Sequence, residues 1–157
     1  MIEQINIFFT IEMIYLWLNL GVLPFWIIML FFPTSGISKF VVRSIFPFMI
    51  FSFVYIYFLY YFFTNGFDFK SNFNLYLGLD EVVNLFSNKG FVIMFWCHFL
   101  AMNLFCGAWM VHDSIKFSMS KIFVFFPLLI TYFIGPFGLF LYWLVRIFFS
   151  RRISLYD

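Results

Sequence analysis

Four long apolar runs constrain this chain more than any other feature. They cover residues 13–32, 41–63, 91–111 and 122–149. Each reaches the ~20 residues that a helix needs to cross a hydrocarbon core. The runs are continuous and do not alternate, so they read as helices and not as strands of a barrel. The rest of the chain cannot offset them: 65% of its residues are hydrophobic and 10% are charged. Soluble domains carry about 25% charged residues. The expected class is therefore an all-α integral membrane protein, one transmembrane domain over residues 1–157. The nine basic residues are scattered, which excludes a nucleic-acid-binding face. The 30 phenylalanines, with abundant Ile, Tyr and Asn, follow A/T-rich codons and point to a bacterial gene, hence a bacterial inner membrane.

The connections order the spans. Residues 34–40 and 112–121 read as short polar turns, so spans one and two form one antiparallel hairpin and spans three and four another. The expected architecture is a four-helix bundle of two hairpins. The longer connection opens with Asn65-Gly66, a turn signal. Further on, Asp80 and Glu81 precede Val82, Val83, Leu85 and Phe86. Acids at a helix start and apolar residues behind them predict a short interfacial helix over 79–87. Glu3 and the missing small-residue cleavage site exclude a cleavable signal peptide. Basic residues near span ends set orientation. Lys70, Lys89, Arg146, Arg151 and Arg152 fall on one side, and Lys39, Arg43, Lys116 and Lys121 on the other. The adjacent Arg151-Arg152 tips the balance toward both termini on the cytoplasmic side.

Polar residues concentrate in CHFLAMNLFCGAWMVHD, from Cys97 to Asp113. On a helix, His98, Met102, Phe105, Trp109 and His112 share an arc of about 80°, and Trp96, Asn103, Gly107 and Met110 lie opposite. Lipid offers an imidazole or an amide no hydrogen bond, so His98 and Asn103 are expected to face other helices, of this chain or of another subunit, with the third span central. Each is either a helix-to-helix tie or part of a site. Trp109 and His112 read as interfacial residues. Cys97 and Cys106 stand ~13 Å apart along a helix. A disulfide needs Cα atoms within ~7 Å, so both read as small apolar residues.

Two spans are interrupted. Pro24 frees the carbonyl of Leu20, and Asn19 lies beside it in NLGVLPFW. Gly135-Pro136-Phe137-Gly138 breaks or kinks the fourth run at its middle. Such breaks survive in a bilayer only where the backbone is buried or lines a cavity. The glycines leave either close helix contact or space. The expected outcome is space: a slot for an apolar chain, lined by Asn19, Trp26, His98 and the 135–138 break.

Several chemistries are excluded. Di-iron hydroxylases and desaturases need clustered histidine boxes. The two histidines here stand ~21 Å apart along one helix. A zinc site needs three or four convergent ligands, and Cys97, His98 and Cys106 diverge, so no metal is expected. There is no phosphate loop, no Ser-His-Asp arrangement and no intramembrane carboxylate pair.

Four pieces in order carry a resemblance: NLGVLPFW (19–26), HFLAMNLFCGAW (98–109), Asp113, and GPFGLFLY (135–142) ending at Arg146. Together they resemble the family of the abscisic-acid-deficiency-four protein of plants, over about residues 13–149. Plant members are needed to convert violaxanthin to neoxanthin. Relatives usually carry an acid at the position of Asn103 and often an arginine at that of Ala108. Here both are neutral, which puts charge-dependent chemistry at those positions in doubt.

The resemblance implies a carotenoid- or isoprenoid-related role and, for an enzyme, isomerisation without a cofactor. Opening an epoxide to an allenic alcohol needs a general acid and a base. His98 is the candidate catalytic residue. Asn19, Trp26, Asn103, Trp109, Asp113, Gly135, Pro136, Gly138 and Tyr142 are the candidate ligand contacts. Expected partners are membrane lipid, a carotenoid or other isoprenoid ligand, and a second copy or a membrane complex. The alternative is a non-catalytic membrane protein that binds lipid or pigment, or helps assemble a complex.

Overall fold

The structure, a computed structural model, describes residues 10–66, 69–151 and 154. The described residues contain seven α-helices and no strand. In chain order they are α1 (Ile11–Phe31), α2 (Gly36–Arg43), α3 (Phe46–Thr64), α4 (Leu79–Phe86), α5 (Lys89–Lys116), α6 (Lys121–Phe133) and α7 (Gly135–Ser150), with a 3-10 segment over Phe69–Tyr76. Both termini, for which a common side is expected, lie outside the described residues, as do Glu3 and Arg152.

Helices α1, α3 and α5 are long and apolar enough to cross a membrane. Bulky apolar side chains such as Trp17, Phe53 and Phe140 are exposed, as a lipid-facing surface requires. The protein is an all-α membrane protein. Of the four expected spans, the first three each contain one helix of that kind, and the fourth run forms two shorter apolar helices. Helix α2 occupies residues read as a turn and the start of span two. Its start is specified locally, because the Ser35 hydroxyl accepts a hydrogen bond from the Ser38 N–H at 3.1 Å. Ser44 ends α2, its N–H donating to the Phe40 carbonyl, and its hydroxyl accepts from the Phe46 N–H to start α3. Pro47 falls in the first turn of α3, where a missing N–H is harmless.

The fourth run also divides. Ile134, at φ −137° and ψ 80°, separates α6 from α7. Those helices have 13 and 16 residues. At 1.5 Å per residue, neither alone spans a core of about 30 Å. Pro136 lies in the first turn of α7, so the break deprives no carbonyl of its proline-blocked partner. Helix α4 forms where the acidic start predicts it. The Asn65-Gly66 turn also forms. The Asn65 side chain donates to the Tyr61 carbonyl at 2.7 Å, and Gly66 adopts φ +74°.

Two compact units divide the chain: residues 1–21 with 49–100, and residues 22–48 with 101–157. In the first, Ile14, Leu18, Phe51, Phe58, Ile93 and Leu100 are buried. The second buries Val22, Trp26, Met29, Leu104, Val111 and Leu128. Close helix approach in the second unit depends on small residues. A methyl group on Gly107 would lie 2.8 Å from the ring of Trp26. One on Gly138 would strike the backbone and hydroxyl of Thr131. Gly21, by contrast, has open space around it.

Gly138→Ala should therefore destabilise the detergent-solubilised protein by about 1–3 kcal/mol through overpacking. Gly21→Ala should be neutral or stabilising by up to about 1 kcal/mol. Equal unfolding midpoints for the two variants would contradict the packing described.

Candidate functional site

Helix α5 ends in an unfavourable way. Asp113 lies near its C-terminus, where the helix dipole disfavours a carboxylate, and the residue is only 5% exposed. Partners on α7 compensate. Arg146 Nε donates to Asp113 Oδ2 at 2.7 Å, and the Tyr142 hydroxyl donates to the same oxygen at 2.8 Å. Tyr142 and Arg146 are four residues apart, so α7 presents both from one face. Both are buried. Aromatic rings complete the enclosure. The Arg146 guanidinium carbon lies 5.0 Å from the centroid of Phe117. Trp109 meets Tyr142 edge-on, with centroids 5.6 Å apart. Met119 places its sulfur 3.6 Å from the Tyr142 oxygen.

This cluster is a buried ion pair with a phenol hydrogen-bonded to it. The phenol's single proton is committed to the carboxylate, and Tyr142 has no exposed surface. The arrangement fastens α5 to α7 and offers no proton to an approaching ligand. The sequence reading includes Asp113, Trp109 and Tyr142 but treats Arg146 only as a charge at a span end. Two signals point to the pairing: opposite charges at the ends of two apolar helices, and the Tyr-x-x-x-Arg spacing.

In the same unit, Asn103 is buried and lies directly against Gly135, where an added methyl would collide with its carbonyl oxygen. Its Nδ2 has no hydrogen-bond partner among the described residues. Trp26 is buried between Gly107 and Tyr132, meeting the latter ring edge-on at 5.4 Å. The space expected at the glycine break is not there: Gly135 and Gly138 are in close contact with their neighbours. Asn103 and Thr131 fill the volume that those glycines release.

The other unit holds Asn19 and His98. The Asn19 amide donates to the Tyr15 carbonyl at 2.7 Å, and its oxygen accepts from Trp96 Nε1 at 3.2 Å. It ties α1 to α5 and does not serve the Leu20 carbonyl. His98 is not packed by this chain's own helices. Its side chain is exposed and makes no hydrogen bond to any described residue. Met94, Cys97 and Leu100 bury the inward side of α5 here, which leaves His98 and Phe95 pointing outward. Cys97 and Cys106 are both free. No three His, Cys, Asp or Glu side chains converge among the described residues.

Fold and cluster together define a helical membrane protein with a buried carboxylate–phenol–guanidinium tie. Residues 13–142 match the family model described as ABA DEFICIENT 4-like, and the chain belongs to that ABA4-like family. The match includes Asp113 and Tyr142. No curated protein and no solved structure matches the chain.

Removing one member of a buried pair leaves an uncompensated charge. Asp113→Ala should cost about 3–5 kcal/mol of stability. Tyr142→Phe removes one hydrogen bond to a charged acceptor and should cost about 1.5–3 kcal/mol. Chemical unfolding in detergent measures both. A Tyr142→Phe effect as large as that of Asp113→Ala would contradict the assignment of the pair as the dominant contact.

Proposed function

We propose that this protein has a carotenoid- or isoprenoid-related role in the membrane and meets its apolar ligand from the bilayer. Family membership over residues 13–142 carries this reading. The long apolar helices support it, since a carotenoid is itself dissolved in lipid. In the catalytic form of the proposal, His98 is the general acid or base of an isomerisation that needs no redox cofactor. Its exposure on α5 favours this role, because an unpaired imidazole there is free to meet a ligand oxygen. Asn103 also carries an amide without a partner among the described residues, but it is buried against Gly135 and closed to a ligand. A bacterial inner membrane is the proposed location.

One observation favours a non-catalytic binder or assembly partner. Helix α5 carries no acid within two turns of His98, so the imidazole has no partner acid on its own helix. Expression in a bacterial host that accumulates violaxanthin separates the two readings. The catalytic reading predicts a new pigment of unchanged mass on chromatography with the wild type, and none with His98→Ala. Pigment that co-purifies unaltered with both proteins supports the binder. Neither conversion nor co-purification would overturn the carotenoid reading.

A further inference from the structure

An open cavity of about 300 Å³ lies between the first turn of α1, the end of α4 and the first turn of α5. Its walls include Ile11, Tyr15, Phe86 and Ile93, and its rim carries Glu12 and Lys89. Lys89 Nζ lies 3.1 Å from Glu12 Oε1, with the two side chains 80% and 68% exposed. Both charges occupy the first turn of a helix apolar enough to cross the membrane. A charge is costly deeper in the bilayer, so the cavity falls at headgroup depth.

The rim has both signs of charge within one ion pair. An exposed pair of this kind contributes little, about 0–1 kcal/mol, so opening it costs little. A ligand with a phosphate and an ammonium a short linker apart would replace one exposed pair by two charge-assisted contacts. The start of α5 does not compete for the phosphate, because the Asn88 side chain already accepts from the Gly90 and Phe91 N–H groups. Lys89 is the anion-recognising group. Glu12 accepts hydrogen bonds from a primary ammonium, which a quaternary one cannot donate. Ile11, Phe86 and Ile93 offer apolar surface to the first carbons of an acyl chain.

We propose that this cavity is a binding site for the headgroup of an amine-bearing zwitterionic phospholipid, with its phosphate on Lys89 and its ammonium on Glu12. The site is independent of any carotenoid chemistry. The test titrates the detergent-solubilised full chain with phosphatidylethanolamine, phosphatidylcholine or phosphatidylglycerol of matched acyl chains, and reads the concentration for half-maximal thermal stabilisation. The ethanolamine lipid should act at the lowest concentration. Lys89→Gln should raise that concentration about tenfold or more, the weight of one charge-assisted hydrogen bond. Glu12→Gln should abolish the preference over phosphatidylglycerol. Ile93→Trp, which fills the cavity, should weaken all binding. Water-soluble glycerophosphoethanolamine should act only at far higher concentration, because it lacks acyl chains. Equal potency of the three lipids would overturn the proposal. So would an unchanged preference in both charge variants, or a soluble headgroup as potent as the lipid.

Discussion

The Asp113 carboxylate holds one of the two units of this molecule together. One oxygen receives hydrogen bonds from Arg146 and Tyr142 at 2.7 and 2.8 Å, all within a shell of Trp109, Phe117 and Met119. In so apolar a setting an unpaired charge is costly, and the paired charges tolerate few alternatives. Sliding or rotating α7 by one residue would separate Arg146 from Asp113 and strand both. The pair therefore specifies the register of α7 on α5, whereas the surrounding apolar contacts are comparatively non-directional. The glycines act in concert with it. Gly135 lets α7 approach Asn103, and Gly138 lets it approach Thr131.

This division of labour bears on function. Polar groups in a membrane protein are commonly read as sites, but those gathered at the end of α5 are largely engaged with each other. Asp113 and Tyr142 stabilise structure by direct contact. Asn19 does the same between α1 and α5. Among the polar residues of the Cys97–Asp113 stretch, His98 is exposed and Asn103 keeps an unpartnered but buried amide. Chemistry proposed for this protein accordingly rests on His98, and the Asp113 cluster supports the fold around the second unit's core.

Much of the fold is legible in the sequence, because hydropathy reports membrane spans directly. The long apolar runs predict α1, α3 and α5, and the acidic start at Asp80-Glu81 predicts α4. The misses have physical causes. Helix α2 is eight residues long, too short for periodicity to separate it from a polar turn. The division of the fourth run is itself legible, because Gly135-Pro136 marks it, but uniform apolar composition on both sides of Ile134 does not show that the two halves are separate helices of 13 and 16 residues. Arg146 enters a count of charges near span ends, yet in the fold Asp113 neutralises it. The opposite charges and the Tyr-x-x-x-Arg spacing hint at a pairing, but that it joins residues 33 positions apart is a tertiary fact. The sequence does not show which face of α5 the chain's own core takes: Met94, Cys97 and Leu100 occupy it, and His98 lies outside it.

The claim that Asp113 and Arg146 act as one unit is tested most directly by a double-mutant cycle. Asp113→Ala, Arg146→Ala and the double variant would be compared by reversible unfolding in detergent. A specific buried pair predicts that the double variant is less destabilised than the sum of the two single effects, with a coupling of at least about 1.5 kcal/mol. Additivity within about 0.5 kcal/mol would contradict the account, because distant, independent sites behave that way.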